Sequence, residues 1–354
     1  MRVIVAGGGT GGHVIPALAI AQPLQKQYNA EILFIGTARG IENRLVPAAG
    51  FPLRLVQVGA LKNVSVATRL RTFSDLPWSV WESLRIFREF RPDVVIGVGG
   101  YASGPGMLAA VLIRIPTLVF EPNFVPGLAN RIVARFVSAA AVHFEETGRY
   151  FRHCEVTGVP VREAFFQISG VPATPTVLVF GGSQGAHAIN QVVMESAGEM
   201  LARTPGLRII HQTGERDFNH IQAAYARLGA VVEVHRFIDD MPGALARASL
   251  LICRSGASTV AEVTAAGKPT VFIPFPRATD DHQKRNAEAL VKAGAAVMLE
   301  EAQLTQATLV ASVTSLLGDP PRLKKMGETA RTLSHPNAAR DIAAMVAKLA
   351  RHTT

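Results

Sequence analysis

Short runs of apolar residues alternate with longer amphipathic stretches along the whole chain. The runs are found at residues 3–6, 32–35, 53–58, 94–98, 116–120, 137–142, 176–180, 207–212, 231–235, 249–253, 269–273 and 295–299. Uninterrupted apolar runs of this length, bounded by Gly and Pro, are typical of strands buried on both faces of a parallel sheet. The helical stretches between them indicate βαβ units, so the sequence predicts an α/β fold.

An internal repeat indicates two similar domains. Residues 3–13 read VIVAGGGTGGH and align with residues 177–187, which read VLVFGGSQGAH. The two copies begin 174 residues apart, which is far longer than a solenoid period. The repeat therefore predicts two Rossmann-like domains with parallel sheets that face each other across a cleft. Between the halves, the interval 157–175 is rich in Pro and Gly and has no clean periodicity.

The predicted domain plan follows from these observations and from a length of 354 residues, which suits about two domains. We expect an N-terminal domain over residues 1–156, a linker over 157–175 and a C-terminal domain over 176–335. A last helix over 336–354 is expected to pack back on the N-terminal domain. Ligands of such folds bind at the carboxyl ends of the strands.

Composition narrows the function further. Two cysteines are too few for a disulfide scaffold or a Cys-rich zinc site. No uninterrupted apolar run approaches the length of a membrane span, and no secretory signal pattern occurs, so a cytosolic protein is expected. A net charge of +9 favours nucleic acid, anionic membranes or phosphorylated substrates as partners. Aromatic residues make up only 6% of the chain, which argues against nucleic acid because base stacking needs aromatic platforms.

The first glycine loop, Gly7 to Gly12, follows a predicted strand and opens a predicted helix. Glycines allow close backbone approach to a ligand, and a helix N-terminus favours an anion. The loop contains G-x-G-x-x-G, but a dinucleotide site also needs an acid at the end of the second strand. Gly36 and Thr37 stand there, and Glu31 lies at the strand's other end, so a nicotinamide or flavin enzyme is disfavoured. A P-loop NTPase is disfavoured because its motif is absent.

His13 lies in the first turn of the helix that follows this loop. It either packs there as an ordinary helix-terminal side chain or acts in catalysis, and we expect a general base, since imidazole titrates near neutral pH. Further polar or glycine-rich segments stand at predicted strand ends. They are residues 97–106, 121–123, 181–185, 254–262 and 280–286.

No D-x-D triplet occurs in the chain, although many sugar-nucleotide enzymes use one to hold a divalent cation. We therefore expect no metal site, with helix dipoles and hydrogen-bond donors carrying the charge of a diphosphate instead. One anion-binding loop in each predicted domain suits a phosphate-bearing donor on one side and a second phosphate-bearing substrate on the other.

Six motifs in order along the chain together resemble the MurG family. They are GGGTGGH (7–13), EPN (121–123), GGSQGAH (181–187), FIDDM (237–241), RSGASTVAE (254–262) and DHQ followed by NA (281–287). The resemblance implies a GT-B fold and an inverting, metal-independent glycosyltransferase without a cofactor. It further implies transfer of N-acetylglucosamine from UDP-GlcNAc to the 4-hydroxyl of the muramyl sugar of undecaprenyl-pyrophosphoryl-MurNAc-pentapeptide, lipid I. The product would be lipid II, used in peptidoglycan synthesis.

The resemblance also implies roles for individual residues. Donor-sugar contacts from the N-terminal domain fall to Thr10, Gly11, Gly12 and Asn123. Uracil and pyrophosphate contacts fall to Arg162, Ser183 and the backbone of Ile238. Glu262 would hold the ribose, with Ala257, Ser258 and Thr259 before it in the same predicted helix. Family members can carry two adjacent glutamines where this chain has His282 and Gln283, so either side chain is a candidate for the GlcNAc hydroxyls.

Residues 62–91 are a candidate membrane surface. The segment contains both tryptophans, Trp78 and Trp81, and more basic than acidic residues. This mixture suits an interfacial surface on an anionic leaflet, although an ordinary amphipathic helix packed on the sheet has the same pattern. We expect a peripheral protein on the cytoplasmic face of the cell membrane. The alternatives left open for the function are a GT-B transferase with another acceptor, an epimerase acting on UDP-GlcNAc, and a nucleotide-binding module without activity.

Overall fold

The structure is a computed structural model of the chain. It describes residues 1–58, 66–100, 102–170, 172, 174–182 and 184–351, and the side chains of residues 66–75 and 230 lie outside this description. The described chain divides into two compact units. Unit 1 comprises Met1–Val161 and Asn337–Thr354, and unit 2 comprises Arg162–Pro336.

Unit 1 is built around a parallel sheet with the order β3-β2-β1-β4-β5-β6-β7 among the described residues. The strands are β1 (Arg2–Ala6), β2 (Glu31–Gly36), β3 (Leu53–Leu55), β4 (Val94–Gly97), β5 (Thr117–Glu121), β6 (Ala139–Val142) and β7 (Cys154–Val156). The helices are α1 (Gly11–Tyr28), α2 (Glu42–Ala48), α3 (Val66–Phe90), α4 (Ser103–Leu112) and α5 (Leu128–Val133), with a 3-10 helix at Glu145–Tyr150. Central strands such as β4 and β5 are buried throughout, as expected for a sheet covered on both faces.

Unit 2 repeats this architecture with a parallel sheet in the order β10-β9-β8-β11-β12-β13 within the described chain. Its strands are β8 (Thr176–Phe180), β9 (Arg208–Gln212), β10 (Val232–His235), β11 (Leu250–Cys253), β12 (Thr270–Phe272) and β13 (Ala296–Met298). Its helices are α6 (Glu163–Phe166), α7 (His187–Arg203), α8 (Phe218–Tyr225), α9 (Met241–Arg247), α10 (Ala257–Ala266), α11 (His282–Lys292), α12 (Gln306–Leu317) and α13 (Pro320–Thr332). Short 3-10 helices lie at Ala226–Val231, Thr279–Asp281 and Glu301–Gln303.

These sheets confirm the predicted α/β class with two Rossmann-like domains of parallel strands. All the predicted apolar runs coincide with strands, and the described edge strand β7 is an addition to them. Its residues are exposed, so it lacks the apolar run on which the prediction depended. The interval 157–175 contains the short helix α6, and the division between the units falls inside it, after Val161.

The last helix, α14 (Ala338–Arg351), belongs to unit 1, where it packs against α1 and β4. It buries one face that includes Ile342, Met345 and Val346. None of the described helices is long and apolar enough to cross a membrane.

Strand order determines where each unit places its functional loops. In unit 1, β1 and β4 are neighbours, and the chain continues from them toward opposite edges of the sheet, from β1 to β2 and from β4 to β5. In unit 2, β8 and β11 have the same relation. Ligands of doubly wound sheets bind at the carboxyl ends of such strand pairs, because the diverging connections leave a crevice there. The predicted motifs after β1, β4, β8 and β11 therefore stand at these two positions.

Candidate active site

Two glycine loops contact each other at the carboxyl edge of unit 1. The Gly8 N–H donates to the Gly99 carbonyl oxygen at 3.2 Å. Gly100 has φ +81°, and a Cβ atom on it would lie 2.1 Å from the Gly8 oxygen. Only glycine allows this backbone approach, so the loop after β4 serves to pack against the loop after β1.

A buried carboxylate braces the first loop from behind. Glu42, the first residue of α2, is 1% exposed, and its Oε2 accepts from the Gly9 N–H at 2.7 Å. Its Oε1 accepts from the N–H and hydroxyl of Thr37 at 2.9 and 3.1 Å. Cβ atoms on Gly8, Gly36 and Gly40 would each lie within 2.6 Å of this side chain. These three glycines therefore leave room for one buried carboxylate behind the loop.

The amides of the first loop are consequently used inside the protein. Gly7 donates to the Ile35 carbonyl, Gly8 to Gly99 and Gly9 to Glu42. The N–H groups at the start of α1, at Gly11 and Gly12, come after this braced segment. Thr10 is the N-cap of α1, is exposed, and makes no capping hydrogen bond with its side chain. This loop therefore offers the positive end of α1, but with a carboxylate close behind it.

His13 lies at the meeting point of the two loops. The ring atoms Cε1 and Nδ1 lie 2.9 and 3.0 Å from the position that a Cβ on Gly99 would occupy. Gly99 has φ +87°, so glycine is needed both for this conformation and for the space that the imidazole takes. The half-buried ring thus packs against the backbone of Gly99 on one side.

Asn123 is organised by a second buried acid at the end of β5. Glu121 is 1% exposed, and burial raises the pKa of its carboxyl above the ordinary value, although four hydrogen bonds oppose the shift. Its Oε1 accepts from the backbone and side-chain nitrogens of Asn123, at 3.0 and 3.1 Å. Its Oε2 accepts from Gly127 and Asn130. Glu121 therefore holds the loop that carries Asn123 in one conformation.

In unit 2, a neutral amide braces the glycine loop after β8. Gln212, at the end of β9, donates from Nε2 to the Gly182 carbonyl at 2.9 Å. Its Oε1 accepts from the Ile238 N–H at 2.9 Å, which ties the predicted uracil-binding turn to the loop. Ser183 lies outside the described residues. The Ile238 N–H is thus used inside the protein.

His187 occupies the repeat position that corresponds to His13, but it is held differently. Its Nδ1 lies 3.0 Å from Asp217 Oδ1, and Asn190 donates to Oδ2 of the same carboxylate at 2.8 Å. Burial works to raise the pKa of Asp217, but hydrogen bonds from Asn190 and His187 outweigh it and hold that pKa low. Behind them, burial lowers the pKa of His211 to about 3, so this ring is neutral near pH 7. The network fixes His187 against the loop that follows β9.

The start of α10 follows β11 and presents the predicted donor-binding residues. Ala257, Ser258 and Thr259 form its first turn after the N-cap Gly256. Glu262 lies one turn further along, where burial raises the pKa of its carboxyl to about 7, against a lowering effect of the nearby Arg162 charge. Arg162 is itself exposed, with its guanidinium 5.1 Å from the Phe165 ring centroid. The charge of Arg162 therefore acts on Glu262, although the two residues come from separate segments of unit 2.

The first turn of α11 is fixed to the loops that follow β11 and β12. Gln283 Oε1 accepts from the Phe275 N–H at 3.0 Å, and the Gln283 carbonyl accepts from the Ser255 hydroxyl at 2.8 Å. His282 Nδ1 lies 2.7 Å from the Thr279 carbonyl oxygen, so Nδ1 is the donor and a neutral ring presents Nε2 as an acceptor. Both candidate sugar-binding residues are thus positioned through one of their polar atoms.

Sequence reasoning missed Glu42 and Gln212, the two residues that brace the loops. Glu42 is the first residue of α2 and does not lie at a strand end. The sequence pattern that could have indicated its role is the spacing of Gly36, Gly40 and Glu42 around a turn. Gln212 is the last residue of a buried strand and is 1% exposed. A polar side chain buried at such a position indicates that it forms hydrogen bonds within the protein. Neither belongs to the motifs used for the prediction.

Two Rossmann-like units with parallel sheets and glycine loops are the architecture of GT-B glycosyltransferases. Family models place the chain within that class. The N-terminal domain of glycosyltransferase family 28 matches residues 3–142, and the C-terminal domain of that family matches residues 176–343.

Individual proteins narrow this assignment. The crystal structure of Acinetobacter baumannii MurG has a TM-score of 0.81 and 34% identity, covering 98% of this chain and 99% of that one. A relative from Anaeromyxobacter dehalogenans is 45% identical, over 99% of this chain and 94% of its own length. One from Syntrophus aciditrophicus is 46% identical, over 97% of both. Both relatives are named UDP-N-acetylglucosamine--N-acetylmuramyl-(pentapeptide) pyrophosphoryl-undecaprenol N-acetylglucosamine transferase. The chain belongs to the MurG family of these transferases.

Proposed function

We propose that the chain transfers N-acetylglucosamine from UDP-GlcNAc to the 4-hydroxyl of the muramyl sugar of lipid I, giving lipid II. The observation that carries this proposal is the identity of 45%, over 99% of the chain, with a transferase named for these substrates. The residues of unit 1 and unit 2 support a division of labour, with unit 2 for the donor and unit 1 for the acceptor and the membrane.

Unit 2 suits a nucleotide diphosphate. Its glycine loop is braced by the neutral Gln212, and α10 directs its N-terminus and Ser258 to the same edge of the sheet. Both features favour an anion. Glu262 accepts hydrogen bonds from the two ribose hydroxyls, and Arg162 neutralises the leaving diphosphate. These groups take the charge of the diphosphate without a metal ion.

Unit 1 suits the reacting hydroxyl. His13 removes the proton of the acceptor 4-hydroxyl while its oxygen forms a bond to C1 of GlcNAc. The bond between C1 and the oxygen of the β-phosphate breaks, and UDP leaves with the electron pair. Attack from the face opposite to UDP inverts the configuration at C1. The packing of His13 against Gly99 keeps the base in one orientation during this step.

A patch on α3 suits contact with a membrane. Trp78 and Trp81 are 53% and 46% exposed, and their rings stack with centroids 4.7 Å apart. Arg85 and Arg88 are exposed on the same helix. Exposed indoles beside basic residues favour the interface of an anionic leaflet. Lys62, Arg69 and Arg71 of the predicted surface lie outside the described side chains. We place the enzyme at the cytoplasmic face of the cell membrane as a peripheral protein.

The decisive experiment mixes the purified chain with UDP-GlcNAc and a lipid I analogue, with and without excess EDTA. The expected result is a disaccharide product and UDP release that depends on the acceptor and continues in EDTA. UDP release without acceptor would indicate epimerase-type chemistry and contradict the proposal. Loss of all turnover in EDTA, restored by magnesium, would overturn the metal-free account of the diphosphate.

A further inference from the structure

A cavity of about 400 Å³ lies in unit 2, at the edge of the sheet opposite to the candidate active site. Its wall includes Ser249 and Pro269, which immediately precede β11 and β12, whereas Glu262 follows β11. Apolar side chains such as Phe166 and Leu323 form much of the remaining wall. The volume falls within the range of small-molecule sites. The cavity is therefore separate from the predicted donor site.

Lys268 is a buried cation in the wall of this cavity. It is 3% exposed, and its Nζ donates to the Ala248 carbonyl at 2.8 Å and to the Ala246 carbonyl at 3.4 Å. Burial and the neighbouring Arg331 charge lower the pKa of its ammonium group to about 8. A Cβ atom on Gly267, the residue before Lys268, would lie 2.7 Å from Arg331 Nε, so the two cations are neighbours in the wall.

Arg331 is the second cation of the wall, and it too is held by backbone carbonyls. It donates to the carbonyl of Phe166 at 3.1 Å, to that of Ala266 at 2.8 Å and to that of Ile168. Among the residues that the structure describes, neither Lys268 nor Arg331 forms an ion pair with a carboxylate. Glu328 also lines the cavity, but its carboxylate lies 3.9 Å from the exposed Lys324.

Two neighbouring cations in a largely apolar wall are costly unless a negative charge accompanies them. Carbonyl dipoles offset part of this cost, but they supply no net charge. We propose that the cavity binds a small organic oxyanion, a phosphate or carboxylate on an apolar body, with its charged end between Lys268 and Arg331. The apolar walls take the body of the molecule, as in most small-molecule sites.

The first test measures the reactivity of the Lys268 amine in the native protein. Reductive methylation near pH 8 is followed by peptide mass spectrometry, with UDP present at a level that saturates the nucleotide site. Phenyl phosphate and benzoate distinguish the two oxyanions, and benzyl alcohol supplies the apolar body alone. We expect at least one oxyanion to slow methylation of Lys268 by about tenfold or more, since a bound oxyanion forms charge-assisted hydrogen bonds with the ammonium. Lys292, an exposed lysine of unit 2, serves as the reference and keeps its rate.

The second test uses Lys268→Met, which keeps the length of the side chain and removes its charge. Calorimetry should show binding of the protective oxyanion weakened by about tenfold or more, whereas Lys292→Met leaves it unchanged. Unchanged binding in Lys268→Met would overturn the proposal. Equal protection by benzyl alcohol, or no protection by either oxyanion, would also overturn the proposal. Both cations would then serve only as hydrogen-bond donors to backbone carbonyls. The labelling result decides the matter if Lys268→Met does not fold.

Discussion

The two glycine loops align in sequence and share three of their six residues, yet they are braced by groups of different charge. Behind the loop of unit 1, Glu42 accepts the Gly9 N–H and places a negative charge close to the ligand-facing edge. Behind the loop of unit 2, Gln212 donates to the Gly182 carbonyl and adds no charge. A carboxylate at such short range disfavours a phosphate, whereas a neutral amide leaves the field of the helix N-terminus intact. The comparison teaches that a repeated loop motif does not determine ligand charge, because residues outside the motif do.

The two histidines of the repeat offer the sharpest way to break this comparison. His13→Ala should lower kcat by about 10²–10⁴-fold, the usual contribution of a general base, because the acceptor hydroxyl loses its proton acceptor. UDP affinity should stay within about twofold, because the nucleotide is assigned to unit 2. The measurement is steady-state kinetics with a soluble acceptor analogue, beside UDP calorimetry.

His187→Ala is the matched control, since the same side chain is removed from the corresponding position of the other loop. Its ring is held by Asp217, and kcat should remain nearly normal. A general base must be unprotonated, so kcat of the native enzyme should fall at acidic pH and His13→Ala should lose this fall. If both variants lose activity equally, or if His13→Ala keeps the same fall at acidic pH, the assignment of His13 as the base is wrong.

Removal of the Glu262 carboxylate tests the nucleotide side. Glu262→Ala should weaken UDP binding by about 1–3 kcal/mol, because the ribose diol loses its carboxylate acceptor. Calorimetry that shows unchanged affinity in a folded variant would refute this role.

The pH dependence of UDP binding gives the same carboxylate a second test. Its pKa of about 7 in the free protein means that protonation competes with the ribose as the pH falls. UDP affinity should therefore decline by about tenfold from near pH 8 to near pH 6, with the weaker binding on the acidic side. Glu262→Gln should remove most of this slope, so an identical slope in the variant would assign the titration to another group.

Glu42→Gln tests whether the charge behind the first loop matters. In either orientation of the amide, its nitrogen would face a backbone N–H, that of Gly9 or that of Thr37, donor against donor, and the loop would lose part of its anchor. We expect kcat to fall by about tenfold, in line with the loss of a charge-assisted hydrogen bond, with UDP affinity unchanged. Thr37→Val is the control, because it removes one donor to the same carboxylate but leaves the bond to Gly9. Equal losses in both variants would mean that Glu42 supports the fold of unit 1 and does not position the loop.

The smallest effect is expected for the tryptophan pair of α3. Trp78→Ala with Trp81→Ala should reduce salt-sensitive binding to vesicles that contain phosphatidylglycerol or cardiolipin by severalfold, while turnover of a soluble acceptor analogue stays normal. Vesicle sedimentation at two salt concentrations measures this. Equal binding of the native protein to neutral and anionic vesicles at low salt would count against an anionic docking surface.

Most of the fold was predictable because buried parallel strands have continuous apolar runs. Even the repeat of the domains was visible in residues 3–13 and 177–187. The exposed edge strand β7 was not predictable, since pairing with β6 and not burial makes it a strand. The electrostatic interaction between Arg162 and Glu262 needed coordinates, because a hundred residues of chain separate them.

The candidate site was predictable to the level of motifs but not of electrostatics. His13 and the start of α10 follow from glycine loops and strand ends, and Thr10 follows from the resemblance to the MurG family. The pKa of Glu262 depends on burial that no local pattern records. The role of Glu42 depends on three glycines that leave room for its carboxylate.

The packing of α14 on α1 and β4 has a consequence for biosynthesis. Unit 1 is not contiguous, because residues 162–336 intervene before its last helix is made. On a ribosome that adds about 5–20 residues per second, the first half of the chain would wait roughly 10–35 seconds for that helix. During this time the surface that later receives Ile342 and Val346 is uncovered. Unit 2 is continuous and can complete its own sheet first, so the second half of the chain can reach its native structure before the first half does.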